Sequence, residues 1–192
     1  MKKGFILSAL MAVCCSAEMG AQTLKELVLK MPEEVCPMLS EYNKLEMVDN
    51  QKNAKKMQTR NAFQTVSEMV TLEDAYAKIQ MTKSTEKELR LLKRNDSEAV
   101  IVMVSTVHVD GSADSSVEFY DGQWAKLDAT SMMDEPVSDA FRHITLSKDE
   151  DSMHIVTFNP LAINNNETFN KAKEEEKTEQ DLIWNGERFC LQ

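Results

Sequence analysis

Apolar residues recur on two different periods along this chain, and the switch between them divides it. Near the start the spacing is helical: Leu24, Leu27 and Val28, then Met38, Leu39, Tyr42, Leu45 and Val48. Thr23 with Glu26 three residues on has the spacing of a capping box, and Met31-Pro32 ends the first helix. Pro37 suits the first turn of the second. Residues 50–60 are polar and basic and read as helix end or loop.

From Phe63 the period becomes two. Ala75, Ala77, Ile79 and Met81 alternate with Tyr76, Lys78, Gln80 and Thr82, the pattern of a strand with one buried face. Residues 88–93 read as a short strand. Residues 99–109 are the most β-branched run in the chain and predict a strand without ambiguity. Asp121-Gly122 and Asn185-Gly186 each interrupt two apolar segments and predict two-residue hairpin turns. In that register Phe119 faces Trp124 and Leu182 faces Phe189. The fold class is therefore α+β, with N-terminal helices followed by a mainly antiparallel sheet.

The strand region carries a weak internal echo. Gly122 and Gly186 are separated by the same interval as Leu127 and Leu191, and 79–83 resembles 144–148 at nearly that offset. Two related meander units, 76–128 and 141–192, account for this, as does coincidence between ordinary β patterns. The apolar strand at 99–109 has no counterpart in the second unit, where residues 164–178 are polar and charged. Residues 136–140 form the connector.

The N-terminus changes the picture of where the chain works. Lys2-Lys3, an apolar run at 5–15 and small residues up to Ala21 have the layout of a secretory signal peptide. The run is too short to span a bilayer. Cleavage after Ala21 leaves residues 22–192 as one domain of sufficient length for a sizeable core. Cys14 follows Val13 and Cys15 follows Cys14, which suits a lipid-attachment signal poorly, so a periplasmic or secreted protein is expected and a lipoprotein is not. Cleavage takes the formal net charge from −10 to −11. An acidic surface makes nucleic acid and anionic membranes poor partners, and no later segment is apolar enough to cross a membrane.

Cleavage also leaves two cysteines, Cys36 and Cys190. An oxidising compartment permits a disulfide between them, and two separate buried thiols are the alternative. Catalytic signatures are absent from the sequence: no nucleophile elbow, phosphate loop, dinucleotide fingerprint or zinc-binding helix motif. His108, His143 and His154 have no partners at metal-ligand spacing and read as strand residues, so no metal or cofactor is expected. Asp110 to Asp114 lacks the order of a calcium loop and reads as a connection between strands. Tyr120, Trp124 and Trp184 gather at the hairpins, either as an aromatic surface for a ligand or partner, or as hairpin packing. Asp151-Ser152-Met153 resembles the short O-glycosylation motif of exported Bacteroidetes proteins, which would place a glycan on Ser152.

Taken in order, Lys30-Met31-Pro32, Pro37-Met38-Leu39, residues 43–49, residues 118–124 and the closing hairpin are similar to a domain-of-unknown-function family of exported proteins of similar length from Bacteroidetes. The resemblance implies an envelope location and a single domain. It brings no reaction and no catalytic residue. The expected function is a non-catalytic binding or interaction module with a protein or glycan partner in the cell envelope. The alternative is a small hydrolase acting on envelope polymers or glycans. A flat apolar patch or open sheet edge favours the first; a cleft of convergent polar groups favours the second.

Overall fold

A computed structural model describes residues 22–94, 98–109, 112–134, 141–158 and 177–192. The leader at 1–21, the connector at 136–140 and all but the last two residues of the polar stretch at 164–178 lie outside the described residues.

Helix α1 (Leu24–Lys30) forms as its pattern predicts, with the Thr23–Glu26 capping box made in both directions. Helix α2 (Glu41–Lys52) begins later than Pro37 suggests. Its N-cap is Ser40, which exchanges hydrogen bonds with Asn43, while Pro37 sits in the turn before it. The expected apolar stripe is also rotated. Asn43, Lys44, Met47 and Val48 face inward, whereas Tyr42 is 71% exposed and Leu45 is 46% exposed. The physical reason is that α2 lies against a strand edge and its inner face must supply hydrogen bonds as well as apolar contact.

The strands build two sheets rather than one. The large sheet is a seven-stranded antiparallel meander in sequence order. Its strands are β1 (Gln58–Arg60), β2 (Val66–Leu72), β3 (Tyr76–Gln80), β4 (Thr85–Arg94), β5 (Glu98–Val109), β6 (Ser112–Asp121) and β7 (Lys126–Leu127). A short helix, α3 (Ala129–Met132), follows. The small sheet contains β8 (Phe141–Leu146), β9 (Ser152–Phe158), β10 (Lys177–Trp184) and β11 (Phe189–Leu191) in the order β11-β10-β9-β8. Ser112 already belongs to β6, so Asp114 lies in a strand and not in the expected loop. The segments 76–128 and 141–192 fall on different sheets. In the second, β9 pairs directly with β10, with no strand in the place of β5.

Two apolar layers flank the large sheet. On one face α1, α2 and the turn between them pack on Met69, Ile79, Leu89, Ile101 and Met103. On the other, the small sheet packs on Leu92, Val100, Val102, Val104 and Phe119. Strand β5 is thus buried on both faces, which is why its sequence is a continuous apolar run and not an alternation.

Both hairpins close in a different register from the two-residue expectation. Phe119 faces Leu127 and Tyr120 faces Lys126. Trp184 faces Phe189, and Leu182 faces Leu191. In the first, Asp121 Oδ1 accepts the N–H groups of Gln123 and Ala125, an Asx-type turn that widens the loop. The positive φ then falls on Trp124 (65°) and not on Gly122. Gly122 instead permits close approach: a Cβ there would lie 3.0 Å from the Gln22 side-chain oxygen. In the second hairpin, Asn185 Oδ1 accepts from Glu187 and Arg188, and Gly186 takes φ 97°.

Sheet edges are a liability unless they are covered. Here side chains cover the edges of β1 and β8, and backbone groups cover that of β11. Asn43 and Asn50 of α2 donate to the outward carbonyls of Arg60 and Gln58 on β1. The outward N–H groups of Arg142, Ile144 and Leu146 on β8 reach Asp114, Ser115 and Glu88 of the large sheet. Met133 bridges Phe189 along β11, and Asp134 N–H donates to the Phe189 carbonyl.

Candidate functional site

The small sheet crosses β4, β5 and β6 and stops at its edge strand β8. Beyond that margin, the same face of the large sheet continues across β1, β2 and the Gln80 end of β3 without a covering element among the described residues; the Tyr76 end of β3 is buried under the small sheet. Alternation decides which side chains stand there. Met69 and Leu72 of β2 enter the helix-side core, so Val66 and Glu68 point the other way. Val70 follows on that outer side, and a bulge between Met69 and Thr71 turns Leu72 back to the core side. Val66 is 54% exposed and Val70 51%. Gln58 and Gln80 flank Glu68 in register, and Gln58 donates to Glu68 at 2.6 Å.

At the margin under β8 the face becomes a network of charges. Lys78 Nζ lies 3.0 Å from Glu88 and 3.1 Å from Glu86. Glu88 is buried. Its other oxygen accepts the Leu146 N–H at 2.8 Å, joining the two sheets. Glu86 also lies 3.4 Å from His108 Nε2, and the rings of His108 and His143 meet edge to face at 6.0 Å. Burial lowers the affinity of the Lys78 amine for a proton. The hydrogen bonds and charges of Glu88 and Glu86 outweigh it, and the group ends above its ordinary value. Burial, followed by the Glu88 charge and hydrogen bond, pushes the Tyr76 hydroxyl far up. Burial and then the facing His108 hold His143 below the ordinary histidine range, against the opposite pull of Glu86 and Glu88.

Next along β4, Arg90 grips the β8–β9 turn. Its guanidinium contacts Asp151 at 2.7 and 3.1 Å and the Lys148 carbonyl. The network therefore clamps one sheet onto the other, and its acceptors are largely occupied by the protein itself. Among the described residues, no group of three or more His, Cys, Asp or Glu side chains is placed to hold a metal ion.

The residues singled out from the sequence do not form a surface. Tyr120, Trp124 and Trp184 are all buried, and they lie in different layers. Tyr120 and Trp124 pack together at 5.5 Å under the helices, where Trp124 Nε1 donates to the Leu27 carbonyl at 3.0 Å. Burial and the neighbouring Glu118 push the Tyr120 hydroxyl up to about 12. Trp184 packs on Phe189 between the sheets and donates to the Lys93 carbonyl. All three rings are used in packing and share no exposed surface. Cys36 and Cys190 are free thiols in the structure: Cys36 is in the helix-side core and Cys190 is on β11, at the small sheet's far edge. Ser152 opens β9, half-buried between Asp151, held by Arg90, and buried Met153. His154 binds Asp181 at 2.7 Å, as a strand histidine.

A separate cleft of about 390 Å³ lies between the end of α1 and the start of α2, lined by Leu29, Met31, Glu33, Glu41 and Lys44 among others. Lys44 is buried at its wall and donates to the Met31 carbonyl, the C-cap of α1. Burial holds its amine below the ordinary lysine value. This lysine ties the two helices together.

Fold and site define a layered α+β protein: helices, a seven-stranded antiparallel sheet, and a four-stranded antiparallel sheet. The family model described as "Protein of unknown function (DUF3256)" matches residues 16–183, and the chain belongs to that family. A solved structure, described as a domain of an uncharacterized protein from Porphyromonas gingivalis W83, shares the fold. It has a TM-score of 0.68 and 20% identity, over 88% of this chain and 97% of that one. No curated protein matches.

Proposed function

We propose that this chain is a non-catalytic binding module of the cell envelope, periplasmic or secreted, that takes a protein partner on the uncovered face of the large sheet. The observation that carries the reading is the pair Val66 and Val70, both more than half exposed on one face. Val66 and Val70 flank Glu68 there, and apolar side chains set beside polar ones on a rigid sheet suit a protein partner. Phe63, 69% exposed, adds to the apolar surface in the loop leading into β2. Because the edges of β1, β8 and β11 are already covered, a partner would meet this face and not extend the sheets at those strands. The signal-peptide layout supports an envelope location. The Leu24 N–H is anchored on the Asp74 carbonyl just after the expected cleavage point, so cleavage there leaves that contact intact.

Charge placed on the face tests the reading. A Val66→Glu, Val70→Glu protein should fold normally and lose its partner from native envelope, while Ile183→Glu on the small sheet keeps it. Equal retention by both variants would refute the assignment. A glycan partner would appear as binding to envelope polysaccharide in place of protein. The hydrolase reading draws on the network of Lys78, Glu86, Glu88 and His108. It requires Glu86→Gln to abolish turnover of an envelope polymer.

A further inference from the structure

We infer that His108 and His143 form a pH-sensitive latch between the two sheets, closed while both rings are neutral and loosened when both carry protons. The two histidines come from different layers, β5 and β8, and their rings meet at 6.0 Å with an interplanar angle of 74°. Neutral rings in that arrangement attract; two imidazolium ions repel.

The surrounding charges do not cancel that repulsion. Lys78 on β3 is a cation in the same network. Glu88 on β4 is committed to Lys78 and to the Leu146 N–H, and Glu86 on β4 is shared between Lys78 and His108. Asp114 on β6 reaches the Arg142 N–H on β8. Both histidines charged, with Lys78, give three cations against Glu86 and Glu88 at this point. His143 is half-buried and pays a desolvation cost on charging.

The sign follows from linkage. A histidine whose folded value lies below its unfolded value, about 6.5, binds fewer protons folded than unfolded. Its effect on stability vanishes above that pH and becomes destabilising as pH falls through it. Because His143 sits on β8, the loosening starts at the small sheet and leaves the helix-side core intact. A protein of the envelope, exposed to the pH outside the cell, would then change the margin of its uncovered face with acidity.

The test compares backbone hydrogen exchange at Ile144 and Leu146 with that in α1, corrected for intrinsic rates, at about pH 7.5 and about pH 5.5. Protection in β8 should fall about three- to tenfold more than in α1 on acidification. In His143→Gln and in His108→Gln that excess should largely disappear. Equal loss of protection in β8 and α1 of the natural chain overturns the latch. So does a variant of either histidine that retains the full acid-induced excess. If one variant does not fold, the other and the natural chain still decide the matter.

Discussion

The Glu88 carboxylate and the Leu146 backbone N–H, 58 residues apart and on different sheets, meet at 2.8 Å. This bond occupies a donor that would otherwise mark β8 as an open edge, and it fixes where the small sheet stops. Glu88 holds Lys78 with its other oxygen, so one buried side chain serves both the edge and the charge network. Removing it should be costly: Glu88→Ala leaves the buried Leu146 N–H without its acceptor and Lys78 with Glu86 in place of two carboxylates, and we expect a loss of about 2–4 kcal/mol in denaturant unfolding. Glu88→Gln retains an acceptor for Leu146 and should lose less. If Glu88→Ala changes stability by less than about 0.5 kcal/mol, the clamp is not a structural element.

Trp124 closes the other side of the molecule. It holds a φ of 65°, unusual for a bulky residue, and reaches back 97 residues to the Leu27 carbonyl. Trp124→Phe should lose about 1–2 kcal/mol through the missing hydrogen bond, and Trp124→Ala about 3–5 kcal/mol through the cavity beneath α1. Thermal or denaturant melts separate the two. No loss in Trp124→Phe would mean that the indole N–H contributes nothing, and equal losses in the two variants would mean that the ring's packing adds nothing beyond it.

The thiols offer a direct chemical check. Burial pushes the Cys36 thiol up, and the core shields it, whereas Cys190 is only half-buried on an edge strand. In the native protein a thiol reagent at neutral pH should label Cys190 well before Cys36, and denaturation should release Cys36. The mature chain should then titrate as two thiols. No titratable thiol after denaturation without reductant would mean that the chain rearranges to form the disulfide.

Much of the fold is legible in the chain, for local reasons. Thr23 and Glu26 sit within reach of one another in any helix starting there, so the cap is readable. The run at 100–104 reads as strand, and its unbroken apolarity already reflects burial on both faces. Register is less legible. Asp121-Gly122 announces a turn, but the Asp121 side chain captures two N–H groups and Trp124 dives into the core, so a turn motif alone misplaces Phe119's partner. The α2 stripe fails because Asn43 and Asn50 are needed at the β1 edge, a demand that no local pattern carries. The charge network was not foreseeable: Lys78, Glu86, His108 and His143 come from four strands in two sheets. Aromatic residues at hairpins suit a surface as well as a core, and here each has a buried acceptor or ring partner. Val66 and Val70 alternate like any strand residues, and no local pattern shows that the small sheet stops short of them.

The central claim is that Val66 and Val70 stand on the face where a partner binds. A photo-crosslinking amino acid at position 66, in protein expressed in its native host, tests it most directly. The account predicts a discrete protein adduct that is absent from an equivalent probe at Ile183, itself 42% exposed, and that disappears when Val70→Glu is added. No adduct from position 66, or the same adducts from both positions and unaffected by Val70→Glu, would contradict it.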